Sequence, residues 1–188
     1  MHRHWLAVIA ALLSGCVVSP ESATDSVGAP LPGLQVLAGC YQNRGEPSDS
    51  VPKRYLSQLF WPALTLDEHV GVEQLEVEPL SATAVRIRAL QSGAVIRQSD
   101  FREGEHFTRR DDRIELSSNW GSSLAAPADN PFIGAYHERV SLWLDTQGDG
   151  RMTNTATFAG TAFLIIPLAG TVSEQRRFER LGDHCPRN

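Results

Sequence analysis

Apolar and charged residues alternate along several short segments of this chain, which predicts antiparallel strands. In the segment 74–79 Leu and Val alternate with Glu, and in the segment 84–90 Val, Ile and Ala alternate with Arg. A period of two with the charges on one face is typical of a strand that is buried on one side only. The same reasoning predicts eight or nine strands in all, at 36–43, 74–79, 84–90, 94–99, 112–117, 132–145, 152–159, 162–168 and 171–181.

Small residues separate the last three of these segments. Gly160 divides the first from the second, and Ala169-Gly170 divides the second from the third. Glycine inside a strand pattern weakens it, so we expect three short strands here. Residues 163–166 read Phe-Leu-Ile-Ile, which is apolar on both faces and predicts a central, fully buried strand.

One segment favours a helix instead of a strand. The segment Pro52–Trp61 begins with a proline, which suits a first helical turn, and is followed by Pro62, which stops a helix. Four apolar side chains fall on one face of this helix: Tyr55, Leu56, Leu59 and Phe60. We expect that face to cover an open end or a face of a sheet.

Together these elements predict one all-β domain. About 150 residues follow the N-terminal part of the chain, which suits a single domain. An antiparallel meander of about eight strands with one short helix forms either a barrel or a sandwich. Closure into a barrel would remove the exposed sheet edges that favour aggregation.

Two short motifs at the ends of the domain bear on this choice. Gly39-Cys40-Tyr41 lies on the first predicted strand, and the last strand carries Arg176, Arg177 and Arg180. This arrangement resembles lipocalins, which have Gly-x-Trp on the first strand and an arginine on the last. Tyr41 stands in place of the Trp, and the helix follows the first strand. The resemblance implies an eight-stranded barrel with an apolar pocket for a lipid-like ligand.

The first 16 residues differ in kind from the rest of the chain. Arg3 and two histidines precede an unbroken apolar run, Leu6–Leu13, and small residues follow it. This order is typical of a secretory signal peptide. The apolar run has eight residues, whereas a membrane-spanning helix needs roughly 20.

The end of this leader, Leu13-Ser14-Gly15-Cys16, resembles the lipobox of bacterial lipoproteins. The resemblance implies cleavage before Cys16 and acylation of its sulfur, and several acyl chains together anchor a protein stably. The next residue is Val17 and not the Asp that retains Gram-negative lipoproteins in the inner membrane. This implies an outer-membrane protein that faces the periplasm. The alternative is an ordinary cleaved signal with Cys16 near the cut.

The chain thus divides into a signal peptide at 1–15, the acylated Cys16 with a flexible tether at 16–35, and a single β domain at 36–188. The tether is predicted from its three Pro, two Gly and three Ser and from its lack of periodicity. Removal of the leader takes away one of the 17 Lys and Arg, so 16 remain against 22 Asp and Glu, a net charge of −6. Mild acidity argues against a nucleic-acid partner.

Two further cysteines remain if lipid occupies Cys16. Cys40 lies on the first predicted strand and Cys185 lies near the end of the chain. Because the periplasm is oxidising, we expect a Cys40–Cys185 disulfide that joins the two ends of the domain. The alternative is a pair of free thiols.

Candidate chemistry is sparse. Asp145-Thr-Gln-Gly-Asp149-Gly150 resembles the start of a calcium-binding loop, but Ala156 occupies the position of the essential Glu. A hairpin turn is the favoured interpretation, since Gly and Asp readily adopt the backbone angles of a turn. The four histidines outside the leader lack zinc-site spacing. Seven arginines between residues 86 and 113 are interleaved with acids, which favours a neutralised, solvated face over an anion-binding strip.

Trp120 is the best candidate for a contact with a partner or ligand, because it lies in a loop rich in Gly, Ser and Pro. We therefore expect a membrane-anchored, non-catalytic binding or accessory module for an apolar ligand or an envelope protein, without a metal or cofactor. The alternative is a structural or interaction lipoprotein with a filled core. An enzyme ranks third, because no nucleophile–base motif is present.

Overall fold

Two sheets packed face to face make up most of the protein. The structure, a computed structural model, describes residues 17–18, 28–46, 55–117, 132–162 and 166–187. The strands are β1 Val17–Val18, β2 Gly39–Gln42, β3 Gln74–Ser81, β4 Ala84–Gln91, β5 Ala94–Arg102, β6 Phe107–Arg109, β7 Ile114–Leu116, β8 Phe132–Leu144, β9 Gly150–Ala162, β10 Ile166–Phe178 and β11 Arg180–Gly182. The helices are α1 Leu56–Phe60 and α2 Leu66–Gly71, with a 3-10 turn at Leu34–Leu37.

Neighbouring strands follow the order of the chain in each sheet, except at β11 in one sheet and at β1 in the other. The five-stranded sheet has the order β11-β2-β3-β4-β5, and the six-stranded sheet has the order β1-β10-β9-β8-β7-β6. All pairings between these strands are antiparallel except that of β1, which runs parallel to β10. The chain passes from the second sheet back to the first between β10 and β11, with only Glu179 between them.

The sheets do not close into a barrel, so the predicted lipocalin-like barrel is wrong and the sandwich alternative describes the fold. The sheets are open between β5 and β6 and again between β10 and β11. Between β5 and β6 the chain turns within residues 103–106, and an isolated bridge joins Glu103 to Phe107. A barrel needs a continuous ladder of hydrogen bonds at every strand pair.

The predicted strands at 74–79, 84–90 and 94–99 are confirmed, each with a longer C-terminal end. The predicted breaks at Gly160 and Ala169-Gly170 are wrong, because these residues lie inside the 13-residue strands β9 and β10. Thr, Val and Phe on either side favour extended backbone, and the ladder between the strands runs through the glycines. The predicted central strand at 163–166 lies mostly outside the described residues.

The helical part differs from the prediction in two ways. The structure describes only the second half of the predicted helix, as α1. It also contains α2, which we did not predict. Thr65 caps α2 by accepting a hydrogen bond from the Glu68 amide, and the Glu68 carboxylate accepts one from the Thr65 amide. This reciprocal capping box has a sequence signature, Thr-x-x-Glu.

Part of the segment predicted as tether packs on the domain. The Ala29 amide donates to the Leu144 carbonyl at 2.8 Å, and the Leu31 amide donates to the Asp111 carbonyl at 2.9 Å. Leu34 is fully buried in the core between the sheets. The described packing on the domain therefore includes β1 at Val17–Val18 and the chain from Gly28 onwards, both before the predicted boundary at residue 36.

The predicted disulfide is confirmed. Cys40 on β2 is bonded to Cys185 beyond β11, across a sequence separation of 145 residues. Both cysteines are buried against Leu90. The bridge therefore fastens the C-terminal segment to the first strand of the five-stranded sheet.

Candidate functional site

The space between the two sheets is the first place where an apolar ligand could bind. It contains a cavity of about 90 Å³ whose walls are mostly apolar, with contributions from Tyr41, Phe60, Ile87, Phe101, Phe107 and Phe178. Pockets for drug-sized ligands are about 300–1,000 Å³, and an engineered cavity of about 150 Å³ accommodates benzene. The cavity thus has room for a few methylene groups and not for a lipid chain.

Helix α1 covers one side of this apolar interior, as its amphipathic pattern predicts. The Phe60 ring lies 5.4 Å from the Phe101 ring and 6.2 Å from the Trp61 ring, measured between centroids. The Trp61 indole donates a hydrogen bond of 2.9 Å to the Ser99 hydroxyl on β5. Aromatic packing and one polar contact together fix the helix against the five-stranded sheet.

A buried polar cluster joins both helices to β2, and the sequence reasoning missed it. The side chain of Asn43 donates to the carbonyls of His69 and Val72 at 2.9 and 2.8 Å, and its oxygen accepts from the Ser57 amide at 2.8 Å. The Ser57 hydroxyl lies 2.9 Å from His69 Nδ1. These three residues are far apart in sequence, so no local motif predicts the cluster.

The Ser57–His69 pair has the distance of a nucleophile and its base, but it is closed to substrate. Ser57 is 0% exposed and His69 is 2% exposed. Burial lowers the pKa of His69 below its ordinary value, although Glu68 and a hydrogen bond to Leu64 act in the opposite direction. The neutral imidazole of His69 therefore links α1 to α2 through hydrogen bonds with Ser57 and Leu64.

The candidate calcium loop binds protein groups instead. Asp145 accepts hydrogen bonds from the amides of Gln147 and Asp149 at 2.9 and 3.0 Å and from the Arg151 guanidinium at 2.8 Å. Burial alone would raise the pKa of Asp145, but these hydrogen bonds outweigh it and hold the pKa below its ordinary value. Asp149 in turn accepts from Arg177 and from the Arg180 amide. The loop is therefore a hairpin turn whose carboxylates are already satisfied.

The arginines between residues 86 and 113 form no free basic strip. Five of them pair with acids in the structure: Arg86 with Asp100, Arg88 with Glu76 and Glu78, Arg109 with Glu103, Arg110 with Glu115, and Arg113 with Asp112. The Arg86 hydrogen bonds hold the pKa of Asp100 below its ordinary value. The neutralised face predicted from the interleaved acids is what these pairs produce.

The C-terminal segment is held by a buried carboxylate as well as by the disulfide. Glu76 on β3 is 4% exposed and accepts from Arg88 at 2.9 Å and from Arg187 at 2.6 Å. Burial raises the pKa of Glu76, but the hydrogen bonds from Arg187 and Arg88 outweigh it, so the pKa lies below its ordinary value. His184 is exposed nearby, its Nδ1 3.9 Å from the Glu76 carboxylate.

Two of the predicted site residues, Cys16 and Trp120, lie outside the described residues, so the predictions for them stand as predictions. Among the residues that are described, no group of three or more His, Cys, Asp or Glu is arranged to hold a metal ion. Within the same residues, no helix has the length and apolar character needed to cross a bilayer.

The sequence matches no protein-family model, and comparison with the curated proteins and with the solved structures found no similar chain.

Proposed function

We propose that this chain is an exported lipoprotein, anchored to the outer membrane through Cys16, that acts as a non-catalytic interaction module through its surface. The sequence Leu13-Ser14-Gly15-Cys16 at the end of an apolar leader supports the anchor. The buried Cys40–Cys185 disulfide supports export, though not the anchor, because such bonds persist in oxidising compartments.

The observation that carries the choice of a surface function is the filled interior. Side chains from both sheets and α1 occupy the space between the sheets and leave a cavity of about 90 Å³. A lipid-like ligand needs several times that volume. We therefore favour a partner that meets the outside of the domain over a ligand held within it.

The polar groups that resemble catalytic or metal-binding parts are engaged in holding the fold. Ser57 and His69 are shielded from solvent between the two helices. Asp145 and Asp149 accept hydrogen bonds from neighbouring arginines and amides. These contacts support a binding role over an enzymatic one, since a reaction needs such groups to face a substrate.

Metabolic labelling with radioactive palmitate, followed by mass spectrometry of the protein purified from its own envelope, tests the proposal. We expect label on Cys16, its complete loss in Cys16→Ala, and its retention in the control Cys40→Ala. We also expect no small apolar molecule to remain bound in the native mass spectrum. An unlabelled wild-type chain would overturn the anchor, and a stoichiometric bound lipid would favour an internal ligand site instead.

A further inference from the structure

The outer halves of β8, β9 and β10 differ from the rest of the sandwich. We call them the arm and define it as Phe132–Arg139, Thr155–Ala162 and Ile166–Ser173. Every side chain whose burial is described in the arm is exposed or partly exposed. The inner halves of the same strands contain Met152 and Phe178, which are each 1% exposed. Among the described residues, therefore, no opposing layer buries the arm as the five-stranded sheet buries the inner halves.

One face of the arm lies in line with the core-facing side of the inner halves. On that face a belt of polar residues separates the arm from the core. In that belt the Asn154 amide donates to Glu138, and Arg176 is paired with Glu174. Arg176 is 3% exposed and Asn154 is 7% exposed. These polar groups end the apolar core, and beyond them the described side chains on both faces of the arm, Phe158 and Ala159 among them, are partly or fully exposed.

The five outermost rows of the arm carry no charged residue. The register aligns residues 132–136 of β8, 158–162 of β9 and 166–170 of β10 in five rows. None of these 15 residues is Asp, Glu, Lys, Arg or His. Five rows at the usual rise per strand residue extend about 14 Å. Interfacial segments enter the boundary between headgroups and acyl chains by roughly 5–10 Å, so five rows cover that depth.

Strand β1 connects this surface to the lipidation site. Val17 pairs with Ala169 and Val18 pairs with Gly170, both in the charge-free part of β10. Cys16 precedes Val17 directly in the sequence. If Cys16 is acylated, its acyl chains are therefore attached beside the charge-free end of the arm.

We propose that the arm is a second membrane contact, which rests on the lipid bilayer beside the acyl anchor. This inference rests on the proposed function for its placement of acyl chains. The arm enters the boundary between headgroups and acyl chains and does not cross the hydrocarbon core, because an open sheet edge there would leave backbone groups without partners. The mature charge of −6 excludes attraction to anionic lipid as the driving force, so neutral phosphatidylcholine is the right surface.

A fluorescent probe on the arm tests the contact in the full acylated chain. We would label Ala159→Cys with an environment-sensitive dye and reconstitute it in phosphatidylcholine vesicles that contain brominated acyl chains. The matched control is Ala94→Cys, an equally placed exposed alanine on β5 of the other sheet. We expect quenching of the dye at residue 159 of at least twofold and none at residue 94. Equal quenching at the two positions, or none at either, would overturn the proposal.

The chain without acyl chains separates this inference from the lipoprotein proposal. For Cys16→Ser we expect weak sedimentation with phosphatidylcholine vesicles. Ala159→Glu should lower the partition coefficient about tenfold, because it moves a charge into the interface, whereas Ala94→Glu should leave it unchanged. Palmitate on Cys16 without any effect of Ala159→Glu would overturn the arm contact alone. Dimers that Ala159→Glu dissociates in the absence of lipid would identify a second copy as the occupant and overturn it too.

Discussion

The inner and outer halves of β8, β9 and β10 are continuous strands, yet they are stabilised by different means. The inner halves present large apolar side chains, including Leu142, Met152 and Phe178, to the five-stranded sheet. On the same face the outer halves present Phe158, which is half-buried, and Val172, which is exposed. Backbone hydrogen bonds and side-chain hydrogen bonds such as Thr157–Thr171 thus continue the ladder into the arm, whereas packing between layers stabilises the body, by which we mean the described residues outside the arm.

The disulfide lies entirely in the body, so its removal should give the largest difference between the two regions. We expect Cys40→Ser with Cys185→Ser to lower the free energy of unfolding by about 2–5 kcal/mol, because the bond closes a long loop in the unfolded chain. Urea unfolding with and without reductant measures this. Hydrogen exchange at arm amides should stay the same, since these amides exchange by local opening. An unchanged unfolding midpoint in the double variant would contradict the expectation.

A single core truncation should have the next largest effect. Leu75 on β3 is 0% exposed, and Val172 in the arm is 50% exposed. We expect Leu75→Ala to lower the free energy of unfolding by about 3 kcal/mol and Val172→Ala by less than about 0.5 kcal/mol. Urea unfolding of both variants, extrapolated to zero denaturant, gives the two free energies of unfolding to compare. Equal losses would mean that the arm is packed as tightly as the body.

The sequence predicted the body better than the arm, for a physical reason. Strands β3, β4 and β5 bury one face, and the alternation of apolar and polar residues in their sequences reflects this. The arm buries neither face among its described residues, and its Gly160 and Gly170 were taken for strand ends. The Cys40–Cys185 bond was predictable because the leader-like N-terminus favours an oxidising compartment, in which the two remaining cysteines pair.

Other parts of the structure depend on contacts between distant segments. The pairing of β1 with β10 joins residues about 150 positions apart, and a two-residue strand leaves no pattern. The Asn43–Ser57–His69 cluster exists only after α1 and α2 have docked on β2. Helix α2 was within reach of the sequence, because Thr65 and Glu68 have the spacing of a capping box.

The pH dependence of stability should distinguish the buried histidine from the exposed ones. Burial lowers the pKa of His69 in the folded protein, so the unfolded chain binds more protons at mildly acidic pH. The contribution of neutral His69 is therefore present above its unfolded pKa of about 6.5 and is lost as the pH falls towards the folded pKa. We expect stability to decline between about pH 7.5 and 5.5, before the carboxylates titrate.

Two variants check that assignment by urea unfolding across the same pH range. His69→Phe should remove most of the decline, at the cost of a lower stability throughout because Ser57 loses its partner. His184→Gln, at a side chain that is 88% exposed, should retain the full decline. A decline that survives in His69→Phe would assign the pH dependence to other groups.

The smallest expected effect concerns one methyl group in the interior of the body. Gly150 borders the cavity, and a Cβ there would lie 3.5 Å from the Tyr41 ring and 3.5 Å from the Phe178 carbonyl oxygen, which are ordinary contacts. Gly150→Ala should therefore raise the free energy of unfolding by about 0.5–1 kcal/mol, because it restricts the unfolded chain and fills part of the cavity. Gly45 is the matched control: a Cβ there would meet the Phe178 ring at 2.9 Å. Gly45→Ala should be destabilising. A gain in stability from both variants would mean that the side chains around Phe178 shift at little cost. The interior of the body would then be as loosely packed as the exposed arm.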